Sequence, residues 1–151
     1  MTCRIVVGVD GSAEAEAALV WARDQAARWD ARVVAIQAWE FTPLVVATDA
    51  PVDLGELRDA TEESLRRQVE TVFGPDADKV ECRVVEELPA RAILEAAEDA
   101  DLVVVGSRGM GGVKGFFLGS VSAKVTHHAP CPVVVVPAQQ PSRTTGRRPE
   151  R

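Results

Sequence analysis

At 151 residues, the chain fits a single domain that can bury a sizeable core. Its apolar fraction of 46% and charged fraction of 26% are those of an ordinary globular protein. The net charge of −6 argues against nucleic-acid binding through a broad basic face, and no apolar run is long enough to span a membrane. The three cysteines are widely spaced and odd in number, which indicates a reducing compartment. We therefore expect a cytoplasmic location.

Strand-like and helix-like segments alternate along the chain. Strands are predicted, in order, at Arg4–Val9, Arg32–Trp39, Val80–Glu86, Leu102–Val105 and Pro132–Val136. Helices are predicted from Ala15 to Trp29 behind an N-cap at Ser12, and at Leu54–Phe73, Pro89–Glu98 and Ser120–His128. This alternation predicts an α/β fold in three layers, a parallel sheet with helices on both faces. Its third strand alternates in polarity and is expected at an edge.

Two segments show no helix or strand pattern. Residues 40–53 contain Pro43 and Pro51 and form a long predicted loop. Residues 138–151 lack apolar side chains apart from Ala138 and carry an excess of arginine, which predicts a flexible basic tail. The predicted domain therefore covers residues 1–137.

The most informative stretch is Val103–Ser122, in which a buried strand leads into a glycine-rich loop and then into a helix. Glycines allow a close backbone approach to a ligand, and a helix N-terminus offers free N–H groups and a positive dipole end. Ser120 is predicted as the N-cap of that helix. Strand, glycine loop and helix start together predict a phosphate-binding site.

The spacing of the glycines and of the residues around them distinguishes between the known types of phosphate-binding loop. No lysine is followed by serine or threonine, which excludes a Walker A loop, and the first strand turn, G-V-D-G-S, does not fit a Rossmann fingerprint. The glycines instead follow G-x2-G-x9-G-[ST], from Gly106 and Gly109 to Gly119 and Ser120. This pattern, with the flanking I-V-V-G-V-D-G-S, P-A-R-A-I-L-E-A-A and G-S-V-S-A-K-V-T-H-H-A-P-C-P-V-V-V-V, resembles the ATP-binding subgroup of the universal stress protein family over Ile5–Pro137.

The resemblance implies a five-stranded parallel sheet in the order 3-2-1-4-5, with a Rossmann-like architecture. It also implies ATP, accompanied by magnesium, at the carboxyl ends of the first and fourth strands. The residues that it assigns to the nucleotide are Val9, Asp10, Ser12, Ala38, Gly106, Arg108, Gly109, Gly119, Ser120, Val121 and Ser122. A homodimer through Val133–Val136 is implied as well.

Several alternatives remain open at this point. A regulator that binds ATP without turnover is favoured over a slow ATPase or self-phosphorylating enzyme, since the glycine stretch holds no His, Asp or Glu to act as a base. Two further alternatives are a dimeric scaffold with an unused pocket and a protein that binds cyclic AMP. We predict no catalytic or metal-ligating residues: His127 and His128 lie in a last helical turn, and Trp21, Trp29 and Trp39 are expected to pack.

Overall fold

A computed structural model describes residues 2–40, 53–108 and 118–138. Residues 41–52 of the predicted loop, most of the predicted tail and Gly109 lie outside these ranges. The strands are β1 (Arg4–Gly8), β2 (Arg32–Trp39), β3 (Glu81–Glu86), β4 (Leu102–Gly106) and β5 (Val133–Val136). The helices are α1 (Ala13–Trp29), α2 (Leu54–Phe73), α3 (Pro89–Ala97) and α4 (Ser120–His128), with a 3-10 helix at Gly74–Lys79 that the sequence analysis did not predict.

All neighbouring strands are parallel, in the order β3-β2-β1-β4-β5. The predicted fold class and strand order are therefore confirmed, and β3 lies at an edge as expected. β1 lies at the centre of the sheet, and its residues Ile5, Val6 and Val7 are completely buried. The order of the strands reverses at β1: β2 and β3 lie on one side of it, and β4 and β5 lie on the other. Because β1 and β4 are parallel neighbours, their carboxyl ends are adjacent.

Apolar residues fill both sides of the sheet. Under α1 and α2, the core includes Leu19, Leu65 and Val69, together with the odd-numbered residues of β1. Under α3 and α4, it includes Ile93 and Val125, together with Val6, Val103 and Val105. Alternate residues of each strand point to opposite faces, which explains why the near-continuous valine and isoleucine runs of β1 and β4 are buried throughout.

Two apolar residues of these helices are exposed although their sequence spacing predicts an inward position. The helical period places Trp29 and Leu57 on the apolar faces of α1 and α2, but their exposed fractions are 50% and 37%. Both lie in a terminal turn of their helix, away from the central turns that carry the buried Leu19 and Leu65. Trp29 instead packs edge-on against Trp21, with ring centroids 6.4 Å apart. None of the described helices is long and apolar enough to cross a bilayer.

Candidate functional site

The predicted site residues that the structure describes gather at the carboxyl edge of the sheet. β1 and β4 pair directly, with Val7 opposite Val104, so the turn after β1 lies beside the end of β4. The start of α4 is joined to the same place, because the Gly119 N–H donates to the Ser107 carbonyl at 2.7 Å. The first-strand turn, the end of β4 and the start of α4 therefore form one continuous surface.

The turn after β1 is ordered by its own side chains. An Asp10 carboxylate oxygen accepts hydrogen bonds from the Ser12 N–H, at 3.0 Å, and from the Ser12 hydroxyl. The Ser12 hydroxyl oxygen in turn accepts from the Ala15 N–H at 3.1 Å, which confirms Ser12 as the N-cap of α1. Gly11 allows the turn, since its φ of +82° is disfavoured for residues with a side chain. Asp10 thus supports the cap and remains exposed.

Val9 and Ala38 lie where the pairing of β1 with β2 ends. Val9 is buried and donates its N–H to the Ile36 carbonyl at 2.8 Å, while the Trp39 carbonyl accepts from the Glu87 N–H on the β3 side. Backbone groups of a strand alternate between its two neighbours. The N–H and C=O of Ala38 therefore face the β1 side, two residues beyond Ile36, the partner of the last paired residue of β1.

The start of α4 corrects one prediction. Ser120 is not the N-cap: Gly119 holds that position with extended backbone, no side chain of the described residues caps the helix, and Ser120 is its first residue. Glycine is accepted as an N-cap because its small size leaves the first N–H groups accessible. The first turn of α4 also contains no acidic residue.

The start of α1 provides a useful contrast, since it points to the same edge of the sheet. At the N-terminus of α1, the Ser12 hydroxyl already accepts a hydrogen bond from the Ala15 N–H, and the first turn contains two acidic residues, Glu14 and Glu16. An anion is favoured at a helix N-terminus by free N–H groups and by the positive end of the helix dipole. Of these two helix starts, only that of α4 retains both features within residues 2–40, 53–108 and 118–138.

Two residues at the end of β4 have roles that sequence reasoning did not give them. Ser107 acts through its backbone, which bonds to β5 and α4, so its side chain gave no signal for this role. Gly106 does not have positive φ; a Cβ there would lie 2.8 Å from the carbonyl carbon of Glu14. Arg108, two residues after β4, is half-buried at the same edge.

Other candidate chemistry lies apart from this surface. His127 and His128 are exposed at the end of α4, and their rings pack edge-on with centroids 4.8 Å apart. The described residues contain no group of three or more His, Cys, Asp or Glu that could hold a metal ion.

Comparisons with known proteins agree with this fold. The sequence profile of the Universal stress protein family matches residues 1–137. A universal stress protein of Mycolicibacterium smegmatis is 36% identical over 140 residues, covering 87% of this chain and 47% of the relative. This chain thus spans just under half the length of that relative.

Solved structures give the same result. Universal stress protein UspA from Lactobacillus plantarum has a TM-score of 0.72 at 28% identity, covering 89% of this chain and 97% of that one. A universal stress protein in complex with cAMP has a TM-score of 0.64 at 29% identity, covering 89% of this chain and 95% of that one.

Proposed function

The chain belongs to the universal stress protein family, and on that premise we propose that it is an ATP-binding regulatory protein of the stress response. The observation that carries this proposal is the start of α4, which has no acidic residue in its first turn and no side-chain cap from the part of the chain that the structure describes. It is joined to the end of β4, next to the end of β1. Ligands of open α/β sheets bind at the carboxyl ends of the strands, where the strand order reverses. Free backbone N–H groups at that place can donate hydrogen bonds to the phosphate oxygens of a nucleotide.

The proposed binding mode follows the surface from β2 to α4. Asp10, with Val9, Ser12 and the backbone of Ala38, holds the adenine and ribose end. Gly106, Arg108 and Gly109 line the ribose and the first phosphates, and the remaining phosphates lie at the start of α4, from Gly119 to Ser122. Magnesium would accompany the triphosphate and keep several waters, which fits a surface whose described residues supply no cluster of metal ligands.

Two observations bear on the choice of nucleotide. The structural relative in complex with cAMP supports an adenine ligand at this fold. In the proposed binding mode, however, a cyclic monophosphate would leave the amides from Gly119 to Ser122 largely unused, so we favour ATP. Competition between ATP and cyclic AMP for one labelled nucleotide decides between them: ATP should displace it at a lower concentration, and the reverse order would favour the cyclic AMP alternative.

Binding without turnover is the proposed mode of action. Hydrolysis needs a base near the terminal phosphate, whereas the only carboxylate of the first-strand turn, Asp10, accepts two hydrogen bonds from Ser12. We expect phosphate release from ATP no faster than in buffer. Turnover that disappears in Asp10→Ala would favour the slow ATPase instead.

The direct test places a negative charge at the start of α4. Ser120 is exposed at the first helical position, so Ser120→Asp favours the helix dipole while it repels phosphate. ATP affinity, measured by titration calorimetry, should fall at least about tenfold. The free energy of unfolding should stay unchanged. Leu54→Asp is the matched control, since Leu54 is the exposed first residue of α2, on the opposite face of the sheet.

Each outcome of this test has a clear meaning. Equal losses of affinity in the two variants would mean that the effect is one of net charge, against the proposed site. Failure of the wild-type protein to bind ATP, or to co-purify with an adenine nucleotide, would favour the scaffold. We further propose a cytoplasmic homodimer formed through β5.

A further inference from the structure

Ser107 joins three elements through its backbone. Its N–H donates to the Val136 carbonyl at 2.9 Å, which ties it to the end of β5. Its carbonyl accepts from the Gly119 N–H at 2.7 Å and from the Ser122 hydroxyl at 2.9 Å, which tie it to the start of α4. We call Ser107, Gly119 and Ser122 the neck, because the chain leaves β4 and returns to α4 there.

The hydroxyl of Ser122 is committed to the neck. The residue is 3% exposed, and its hydroxyl oxygen also lies 3.1 Å from the Gly119 carbonyl. A serine hydroxyl has a single hydrogen to donate. In contact with a phosphate oxygen, that hydrogen would have to leave both carbonyls of the neck. Each carbonyl would keep one backbone donor, the Gly119 N–H for Ser107 and the Ala123 N–H for Gly119, so the cost is the loss of one hydrogen bond, about 0.5–1.5 kcal/mol.

Ser120 differs from Ser122 in each of these respects. It is exposed and is the first residue of α4, and its side chain forms no cap for the helix. Its hydroxyl is therefore accessible to a ligand. The two serines of the G-S-V-S segment are thus suited to different tasks.

We propose that Ser122 is a positioning residue whose hydroxyl closes the neck, and that it does not bind the nucleotide through that hydroxyl. By holding the start of α4 against the end of β4, Ser122 keeps the amides of Ser120 and Val121 at the phosphate-binding surface before any ligand arrives. This inference rests on the proposed nucleotide site and adds the device that preassembles it.

The first test needs no nucleotide. Amide hydrogen exchange at Gly119 is measured by NMR in the wild type and in Ser122→Ala. Loss of a hydrogen bond worth about 1 kcal/mol should speed exchange at Gly119 about fivefold. The amide of Val104, a completely buried residue of β4, reports global opening, and the acceleration at Gly119 should exceed any change there.

Two further variants make this test specific. Ser122→Thr should restore slow exchange, because threonine keeps a hydroxyl at the position from which Ser122 donates to the Ser107 carbonyl. Ser120→Ala, which removes an exposed hydroxyl from the same turn, should leave exchange at Gly119 unchanged. An unchanged Gly119 amide in Ser122→Ala would overturn the proposal.

Titration with ATP then separates positioning from direct contact. We expect Ser122→Ala to lower ATP affinity about fivefold in parallel with the faster exchange, and Ser122→Thr to restore both. Lower affinity with unchanged exchange would instead identify the Ser122 hydroxyl as a ligand, against our inference. If the wild type binds no nucleotide, the proposed function fails, while the exchange data still decide whether Ser122 closes the neck.

Discussion

Gly106, the last residue of β4, lies directly against Glu14 in the first turn of α1. A Cβ at Gly106 would be 2.7 Å from the Glu14 Cβ and 2.9 Å from its carbonyl oxygen. Real Cβ atoms do not approach backbone so closely, so helix or strand would have to move. The absence of a side chain at Gly106 is therefore required by the packing of α1, whether or not a nucleotide is bound.

We accordingly predict that Gly106→Ala destabilises the fold by about 1–3 kcal/mol, as overpacking in a dense interior does. Urea denaturation followed by circular dichroism measures this. Gly8→Ala is the matched control, at the last residue of the adjacent β1. Its Cβ would meet the Cδ1 end of Ile93, at 2.5 Å, and that side-chain end can move aside. A loss of stability in Gly8→Ala equal to that in Gly106→Ala would contradict this explanation.

The fold could be predicted from the sequence because its signals are periodic and local. Valine and isoleucine runs of β1 and β4, alternating with helical spacing, specify buried parallel strands, and Ser12 specifies the start of α1. The glycine motif was predicted to lie at the carboxyl edge of the sheet, where the structure places Gly106 and Gly119, but it gave no sign that Gly106 is required by Glu14. That requirement is a contact between distant segments, and local patterns do not contain it.

The start of α4 also shows that local sequence preferences do not predict contacts between distant segments. Serine is a good N-cap by preference, yet the structure places the N-cap of α4 one position before Ser120, at Gly119. The Gly119 N–H is bound by the Ser107 carbonyl, and this long-range bond fixes where the helix begins. The position of the N-cap therefore depends on Ser107, at the end of β4. Because Ser107 acts through its backbone, the pattern of side chains does not indicate this role.

The two helix starts predict opposite responses to loss of a serine hydroxyl. Ser12→Ala removes the hydrogen bond to the Ala15 N–H and should cost about 1 kcal/mol of unfolding free energy. Ser120→Ala removes a hydroxyl that caps nothing and should change stability by less than about 0.5 kcal/mol. Thermal denaturation of both variants at one pH measures the difference. Equal shifts in the two variants would show that Ser12 is not a working cap.

The thiols at the opposite edge of the sheet give a prediction about pH. Burial raises the pKa of Cys3 and of Cys131, and the Asp101 carboxylate raises both further. Burial also raises the pKa of Cys82, whose charged neighbours are Arg66, Glu62 and Glu70. Since the thiolate is the reactive form, a raised pKa lowers reactivity at pH 8. All three should react with iodoacetamide more slowly than an unstructured cysteine, and faster as the pH rises.

Asp101→Asn tests the cause of this behaviour. Loss of the carboxylate charge should lower the pKa of Cys3 and Cys131 and speed their alkylation at pH 8, while Cys82 serves as the internal control. Asparagine can still accept the hydrogen bond that the Arg4 N–H donates to Asp101, at 2.8 Å, so the local backbone should be kept. Rates are measured for each site by mass spectrometry. A uniform rise at all three sites would indicate loosened structure instead of a removed charge.

The proposed homodimer depends on the outer edge of β5. Its four valines are partly exposed, and β5 is the last strand of the sheet. Pro132 and Val136 accept hydrogen bonds from Val103 and Ser107, at 3.0 Å and 2.9 Å, so the even-numbered residues turn their backbone groups toward β4. The backbone groups of Val133 and Val135 therefore face away from the sheet, where a second copy could pair with them.

This alternation allows a test by proline substitution. Val135→Pro removes an outward N–H, which an edge strand tolerates, and should convert the dimer to a monomer with its circular dichroism spectrum kept. Val134→Pro removes an N–H on the β4 side and should lower the midpoint of thermal unfolding. Sedimentation velocity measures the state of association. A wild-type monomer at micromolar concentration, or a Val135→Pro variant that remains dimeric, would show that β5 is not the interface.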